Sequence, residues 1–548
     1  MGWRITRPAA ILLTLALVVS GCTATAEQEA PSSPTLAAVR DKVSVIDGSA
    51  AEMSIAASGR FFKTSPTVVV AVDGDYAAIG HASTAAVGLG VPLIVAERGS
   101  GDTGPIAAEL DRLGSGTVVA FGSPTGGWQP YTGDRTVVAG PDSAEGFDKN
   151  LGLKATPADS KVNELQQSVA ALQRDKLGLI SVQDADTAGR TTTEPSDEKL
   201  PDTAASAKSV DATVVAGRQG TAAAPALATA RAANSPVLNA DSENVFGSQE
   251  VIDAVHKRQD KPVIGIGIGP ESVVQYRLES AQTGYQLPGG GQTVFPGRRM
   301  IALYGHPGTK SMGVLGEQGI DESIARAKKV AKSYQKHSEE PVVPTFELIA
   351  TVASAAKGKD GDYSYETPAK DIEPWIDAAE KAGVYVVLDI QPGRTDFLTQ
   401  AKLYEDLLKR PNVGLALDPE WRLKSNQKHL AQVGSVKVEE VNEVLNWLAD
   451  LTRENKLPQK VFTLHQFKLK MIQDRERLDT SREELAIVLH ADGHGSPGEK
   501  MSTWQALQKG LPKSVWMGWK NFYDEDKPTF SPEQTYAIDP KPWFVSYQ

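Results

Sequence analysis

One cysteine, Cys22, stands in 548 residues. Beyond Cys22 there is no thiol left for a disulfide, a cysteine nucleophile, a cysteine-based zinc site or a redox couple. Stability must come from packed apolar cores, and the length allows two or more. Positive charge is also short: Lys and Arg number 57 against 68 Asp and Glu, a net charge of −11. A nucleic-acid partner is excluded, because phosphate binding needs a basic surface. After the first twenty residues no apolar run approaches the roughly 18 residues that a membrane span requires.

What is present begins at the N-terminus. Arg4 and Arg7 precede an almost uninterrupted apolar run from Ala9 to Val19. That run suits the core of a signal peptide and is too short for a stable span. It ends in Val19-Ser20-Gly21-Cys22, which resembles the lipobox of bacterial lipoproteins. The resemblance implies cleavage before Cys22 and a lipid on its sulfur, so that the membrane is reached through a lipid anchor at the outer face of the cytoplasmic membrane. Residues 1–21 are then a signal peptide. Residues 22–44 are expected to be the lipidated cysteine and a flexible stalk, since Thr23 to Thr35 is small, polar and contains proline.

Residues 45–287 read as a repeat-built parallel α/β domain. Thr67 to Ala96 (TVVVAVDGDYAAIGHASTAAVGLGVPLIVA) and Ala212 to Ala240 (ATVVAGRQGTAAAPALATARAANSPVLNA) share one pattern. Each gives a strand, a small-residue turn, an alanine-rich helix and a second strand opened by proline. Continuous apolar strands alternating with helices predict parallel sheets covered by helices. Internal similarity predicts duplication. The stretch from IDGSAAEMSIAASGRFF to GTVVAFGSP resembles the type 2 cell-wall-binding repeat, which implies a module that holds anionic wall polymer. Where that family carries a Phe-Ala/Pro-Asp-Ala-Leu pattern this chain has Tyr76-Ala77-Ala78-Ile79, without the acidic residue. Gly265, Gly267 and Gly269 do not follow the dinucleotide-loop spacing, and Pro270 stands where a helix should open. Between Gly140 and Asp211, Lys161 to Gln173 has helical periodicity, KLGLISV reads as a strand and Thr191 to Ala207 as a loop. Pro288 to Gln292 (PGGGQ) reads as the linker between domains.

Residues 296–548 alternate apolar strands with charged amphipathic helices. The strands are MIALYG, PTFELIATV, VYVVLDI, VGLALDP, VFTLHQF, LAIVLHA, VWMGWKN and WFVSYQ. Eight βα units in about 250 residues predict a (β/α)8 TIM-type barrel. The active site of such a barrel lies at the C-terminal ends of its strands. Those ends carry His306, Glu347, Asp389, Gln391, Asp418, Glu420, His465, Gln466, His490, Asp492, His494, Lys520, Asp524, Glu525 and Tyr547.

The sharpest element is Leu417-Asp418-Pro419-Glu420-Trp421. Positions i and i+2 of a strand face the same side, so Asp418 and Glu420 are expected to share a cavity. Two carboxyls beside a tryptophan suit glycoside hydrolysis, with one acid kept protonated to serve the leaving oxygen. Asp-x-Glu at the end of a fourth strand also resembles muramidase-type and chitinase-type barrels. The catalytic candidates are Glu420 as general acid, Asp418, Asp389 and Glu347. The substrate-binding candidates are His306, His465, Gln466, His490, Asp492, His494, Trp421, Trp519, Lys520 and Tyr547. Trp421, Trp516, Trp519, Phe522 and Tyr523 are expected near the mouth, with Gln391, Arg394, Asp396 and Asn521. Ser311 and Lys310 lie in a Gly-rich loop whose backbone could come close to a polar ligand.

This reading needs no cofactor and no metal. Two others stay open. A scaffold would hold a cell-wall polysaccharide at the same mouth without cutting it, or Asp418 and Glu420 would be structural ions paired with Arg422 or Lys520. A metal-dependent hydrolase would use His490, Asp492 and His494 with His306, His465, Glu347 and Asp389 to bind zinc or manganese. The C-terminal half as a whole resembles a family of secreted actinobacterial barrel lipoproteins, which implies a location and no particular reaction.

Overall fold

A computed structural model of the chain describes residues 33–186, 200–201, 205–217, 220–240 and 244–548. The signal segment, Cys22, residues 23–32 of the expected stalk and most of the Thr191–Ala207 loop lie outside the described residues. Among the described residues, no helix is long and apolar enough to cross a membrane.

The expected stalk is not wholly free. Thr35–Leu36 pairs antiparallel with Phe62–Thr64, and Val43–Ile46 is already a sheet strand. Two four-stranded parallel sheets follow, with one strand order. The first runs Leu93–Ala96, Thr67–Val72, Thr117–Ala120, Thr136–Ala139. The second runs Val237–Asn239, Thr213–Ala216, Val263–Ile266, and its fourth place is taken by Val43–Ile46 from the chain's beginning. The first strand of the domain thus completes the last sheet. A further parallel pair, Thr156–Ser160 and Gly178–Val182, lies between the two copies in sequence. The strand KLGLISV was legible; its partner TPADS is polar and exposed along most of its length and gave no apolar signal.

Local chemistry fixes these elements. Asp75 caps helix Tyr76–Leu89 by accepting from the Ala78 N–H at 3.0 Å, and Gly90 closes it at φ +69°. Helix Ala224–Ala232 opens with Pro225 in its first turn, where a missing N–H costs nothing. Thr229 on that helix accepts from Leu93 N at 3.0 Å and so ties the second copy to the first sheet. Small side chains let these helices lie close together, and both copies share one apolar core.

The expected linker, Pro288–Gln292, is a turn with hydrogen bonds of its own. Gly289, Gly290 and Gly291 all have positive φ, but the turn is pinned. The buried Arg298 guanidinium donates to the carbonyls of Pro288, Gly290 and Thr293. The buried Gln292 amide donates to Ser280 O and Tyr285 O. Tyr276 then reaches across the junction to Leu457 O at 2.7 Å.

The C-terminal half is a closed barrel of eight parallel strands: β1 (Arg299–Gly305), β2 (Val342–Ala353), β3 (Tyr385–Ile390), β4 (Val413–Leu417), β5 (Lys460–Gln466), β6 (Leu485–Ala491), β7 (Trp516–Asn521) and β8 (Phe544–Tyr547). Neighbours in sequence are neighbours in space, and β1 pairs with both β2 and β8. The eight expected strands are all present. The helices are not eight. After β5 the chain makes two 3-10 turns, Leu469–Met471 and Arg475–Arg477, with a short strand, Ile472–Gln473, between them, and no α-helix before β6.

Alternation decides which residues fill the barrel. Met300, Ala302, Val343, Tyr385, Val387, Ala416, Val461, Val488 and Phe544 pack together inside, and Leu287, Val294 and Phe295 join them from the connecting segment. Their neighbours in sequence, such as Ile301, Leu303, Phe346, Leu388, Leu415 and Leu464, pack outward against the helices. Toward the C-terminal ends of the strands the inward side chains change from apolar to charged.

Candidate active site

The mouth of the barrel holds a cleft of about 590 Å³. Asp418, Glu420, Trp421, Asp492, His494 and Lys520 line it, with Tyr304, Gln391, Ser311, His429, Lys468 and Phe522. Strand alternation is not what brings Asp418 and Glu420 together. β4 ends at Leu417, and Pro419–Trp421 is a 3-10 turn. Asp418 caps that turn by accepting from the Glu420 N–H at 3.1 Å. Trp421 stacks on His429, with ring centroids 4.8 Å apart and planes 20° apart, and presents a flat apolar wall. The alternative partner Arg422 is engaged elsewhere, with Glu440 at 2.8 Å.

Below the cleft floor four inward side chains meet: Glu347 from β2, Asp389 from β3, His465 from β5 and His490 from β6. All are fully buried. His465 bridges the two levels. Its Nε2 lies 3.0 Å from Glu347 Oε1, and its Nδ1 lies 2.8 Å from Asp492 Oδ2. Lys520 Nζ sits 3.2 Å from Asp492 Oδ1 and 3.6 Å above the ring centre of Tyr304. The Tyr304 hydroxyl donates to Asp389 Oδ2 at 2.8 Å and accepts from the Gln391 amide at 3.2 Å.

This arrangement drives the carboxyls apart. Burial and the nearby Asp492 push Glu420 up to about 7, against the pull of Lys520 and His465. Burial, helped by Asp389 and Glu420, holds Asp418 well above the ordinary aspartate range although His465 opposes it. Burial would also raise Asp492, but Lys520 and His465 outweigh it and hold Asp492 well below that range. Burial would strip the proton from His465, and there the carboxylates of Glu347, Asp389 and Asp492 prevail and keep it well above the usual histidine value. His490 follows burial instead and falls to about 4. The cleft therefore offers protonated carboxyls on one wall and an ionised carboxylate, Asp492, held by two cations.

Other candidates lie elsewhere. Gln466, Trp519 and Tyr547 face outward, because His465, Lys520 and Ser546 take the inward positions beside them. The Gln466 carbonyl accepts from Arg475 at 2.6 Å, and its amide closes the loop at Lys468 O and Leu469 O. Trp519 packs between Trp504 and Phe530. Tyr547 shares a 2.5 Å hydroxyl contact with Tyr334. His306 bonds Thr367 Oγ1 at 3.2 Å and Gly308 N at 3.0 Å, off the cleft wall. Trp516 lies at the opposite end of the barrel against Phe295 and Trp543. Arg394 holds Gln427 O, and Asp396 caps a helix at Thr399. Asn521 bonds Trp519 and Thr535. The glycine-rich loop at His494 is anchored: Gly495 N donates to Asp526 Oδ1 at 3.0 Å, and Ser496 and Glu499 form a capping box. Tyr304, His429 and Lys468 were missed. Tyr304 shows inward parity with Met300 and Ala302, a signal the sequence did carry.

Fold and mouth together define a parallel eight-stranded barrel with a carboxylate-rich cleft. The sequence matches no family model and no curated relative. Among solved structures, Cwp6 from Clostridium difficile is similar at 12% identity and TM-score 0.30, over 70% of this chain and 66% of that one. The xylanase and alpha-amylase inhibitor protein XAIP-II from Scadoxus multiflorus matches at 11% identity and TM-score 0.28, over 45% of this chain and 92% of its own. XAIP-I, in a complex with trehalose, matches at 12% and 0.28 over the same shares. This chain thus spans about two thirds of the length of Cwp6. TM-scores this low carry no inference about activity or ligand.

Proposed function

We propose that the barrel hydrolyses a glycan of the cell envelope, with Glu420 as general acid. The observation that supports this reading most is the split of the cleft carboxyls. Glu420 is raised to about 7 and Asp418 well above its ordinary range, while Asp492 is held ionised beside Lys520 and His465. A protein that only held a sugar would need no proton stored on a carboxyl at the cleft wall. In the proposed reaction Glu420 gives its proton to the leaving glycosidic oxygen. Asp492 faces the positive charge that develops on the sugar ring and steadies it; water then adds to the ring carbon and passes a proton to Glu420, which is thereby restored. Trp421, backed by His429, carries the apolar face of a sugar, and Gln391 and His494 meet its hydroxyls.

The envelope assignment rests on the lipobox-like Val19–Cys22 and on the repeat-like N-terminal half, which we read as a lipid anchor and a wall-polymer contact. The stacked Trp421–His429 pair equally suits a protein that holds a glycan without cutting it, and one experiment separates the two. The mature chain is incubated with purified wall glycans, and new reducing ends are measured beside Glu420→Gln. Release by the unaltered chain alone supports hydrolysis. Binding by both without release from any glycan moves the function to the scaffold.

A further inference from the structure

Beneath the cleft lies a cluster whose members Glu347, Asp389 and His490 have no task in the proposed hydrolysis, and whose His465 serves it only by facing Asp492. Glu347 Oε1 is 3.0 Å from His465 Nε2 and 3.7 Å from His490 Nδ1, and His465 Nε2 is 3.9 Å from Asp389 Oδ1. Ligand atoms of Glu347, His465 and His490 all lie within 4.8 Å of one another. In a tetrahedral site with bonds of about 2.0–2.1 Å, neighbouring ligand atoms are separated by about 3.3–3.4 Å. The observed separations bracket that value.

The bonding of the outer atoms is as informative. His465 Nδ1 is tied to Asp492 at 2.8 Å, His490 Nε2 to Ser546 Oγ at 3.1 Å, and Asp389 Oδ2 to the Tyr304 hydroxyl at 2.8 Å. The atoms left over are His490 Nδ1, Asp389 Oδ1 and Glu347 Oε2, which are buried and have no hydrogen-bond partner. Both histidines are fixed from behind by a carboxylate or hydroxyl; the other nitrogen of His490 is free and that of His465 meets only Glu347, a fellow candidate ligand, which are surroundings suited to a bound metal.

We infer that Glu347, His465 and His490 form a binding site for a divalent transition ion of the zinc class, with Asp389 packed beside His465. Two imidazole nitrogens with carboxylate oxygens suit zinc, manganese or iron(II), whereas calcium asks for more oxygens. All four residues are fully buried, so the site is closed and its ion would order side chains and not activate a substrate water. Its effect on the cleft runs through His465, whose Nδ1–H would then be directed at Asp492. Charge balances: the ion and Lys520 face Glu347, Asp389 and Asp492. In the metal-free chain a proton between His465 and Glu347 fills the same role, so binding releases it.

The test uses the full chain, stripped with chelator, equilibrated with zinc or cobalt and freed of excess. About one ion per chain should remain, the Tm should rise with added zinc, and the cobalt form should show the strong visible band of a tetrahedral nitrogen–oxygen site. Glu347→Gln and His490→Gln should each weaken retention by about tenfold or more. Asp360→Asn, an exposed member of the separate trio Asp360, Asp362 and Glu366, should leave it unchanged. If a variant does not fold, the cobalt spectrum of the unaltered chain still decides. No ion retained from zinc, manganese or iron(II), a weak octahedral cobalt spectrum, or retention undiminished in a folded Glu347→Gln overturns the inference. None of these readouts needs hydrolysis, so the site stands or falls apart from the proposed reaction.

Discussion

Among the described residues of the N-terminal half, the buried acidic and basic side chains are Asp75, Glu109 and Arg277, whereas the barrel interior and mouth bury Glu347, Asp389, Asp418, His465, His490 and Lys520. In the first half each charge has a plain local duty. Asp75 caps a helix, Glu109 pairs with Arg112 at 2.6 Å, and Arg277 reaches Glu483 O across the junction at 2.7 Å. The rest of that core is apolar, with leucine, isoleucine and aromatic side chains beside many alanines and valines, whose small size lets helices and strands approach closely. The barrel clusters buried charge at its mouth, whereas Arg298 and Lys460 at the other end are each held by backbone carbonyls. Its lower interior is apolar, and its upper layer gathers carboxylates and cations that cost desolvation energy. One half is built for close packing, and the other concentrates charge where a ligand can meet it.

The largest effect should come from the charged half. Glu420→Gln keeps the shape and removes the proton donor, so turnover should fall by about 10²–10⁴-fold while the fold is retained. Alkaline pH should mimic it: activity declines as pH rises through about 7, where Glu420 loses its proton. The stability sign is fixed by the same shift. The folded pKa is above the unfolded value of about 4.3, so the contribution is full below about pH 4.3 and is lost as pH rises through about 7. A pH–rate profile without that limb would remove Glu420 from the role of acid.

The junction should respond next. Arg298→Ala leaves the carbonyls of Pro288, Gly290 and Thr293 without their buried donor, and about 2–4 kcal/mol should be lost in urea unfolding. An unchanged midpoint would mean that the turn is a loose linker after all. A smaller effect tests the close-packed half. Gly80→Ala in helix Tyr76–Leu89 gains about 1 kcal/mol of helix propensity, but its Cβ would stand 2.8 Å from the Ile180 carbonyl oxygen, which is backbone and cannot move aside. The contact should win, with a net loss of about 1–3 kcal/mol. Gly59→Ala, with nothing within 4 Å, should instead stabilise. Equal outcomes at Gly59 and Gly80 would break the packing argument.

How much was legible in the sequence follows from the same contrast. Each barrel strand is a continuous apolar run, so all eight could be counted and the mouth located. What went wrong was parity. His465 with Gln466 and Lys520 with Trp519 were both expected at the mouth, yet adjacent strand residues cannot both face inward. Val461 and Thr463 on β5 assign the inner face to His465, and Gly518 on β7 assigns it to Lys520. The missing fifth helix was hidden because Arg475 and Gln466 build a hydrogen-bonded loop there, without periodicity. The contacts of His429 and Lys468 with the cleft are tertiary, and no local pattern carries them.

Tyr547→Phe should have the smallest effect and tests parity directly. Tyr547 lies on β8 beside Ser546, and the two face opposite sides. The Ser546 hydroxyl contacts His490 within the barrel, and the Tyr547 hydroxyl contacts Tyr334 on the outer helix Ile320–Gln335. Removing the phenol oxygen deletes one buried hydrogen bond while the ring stays packed on Tyr334 and Tyr523. The expected loss is about 0.5–1.5 kcal/mol of stability. Glycan release should not change, because no atom of Tyr547 lines the cleft. A variant with full stability and impaired release would place the phenol at the mouth and reverse the assignment of faces on β8. Thermal unfolding and release measured on the same preparation distinguish these outcomes.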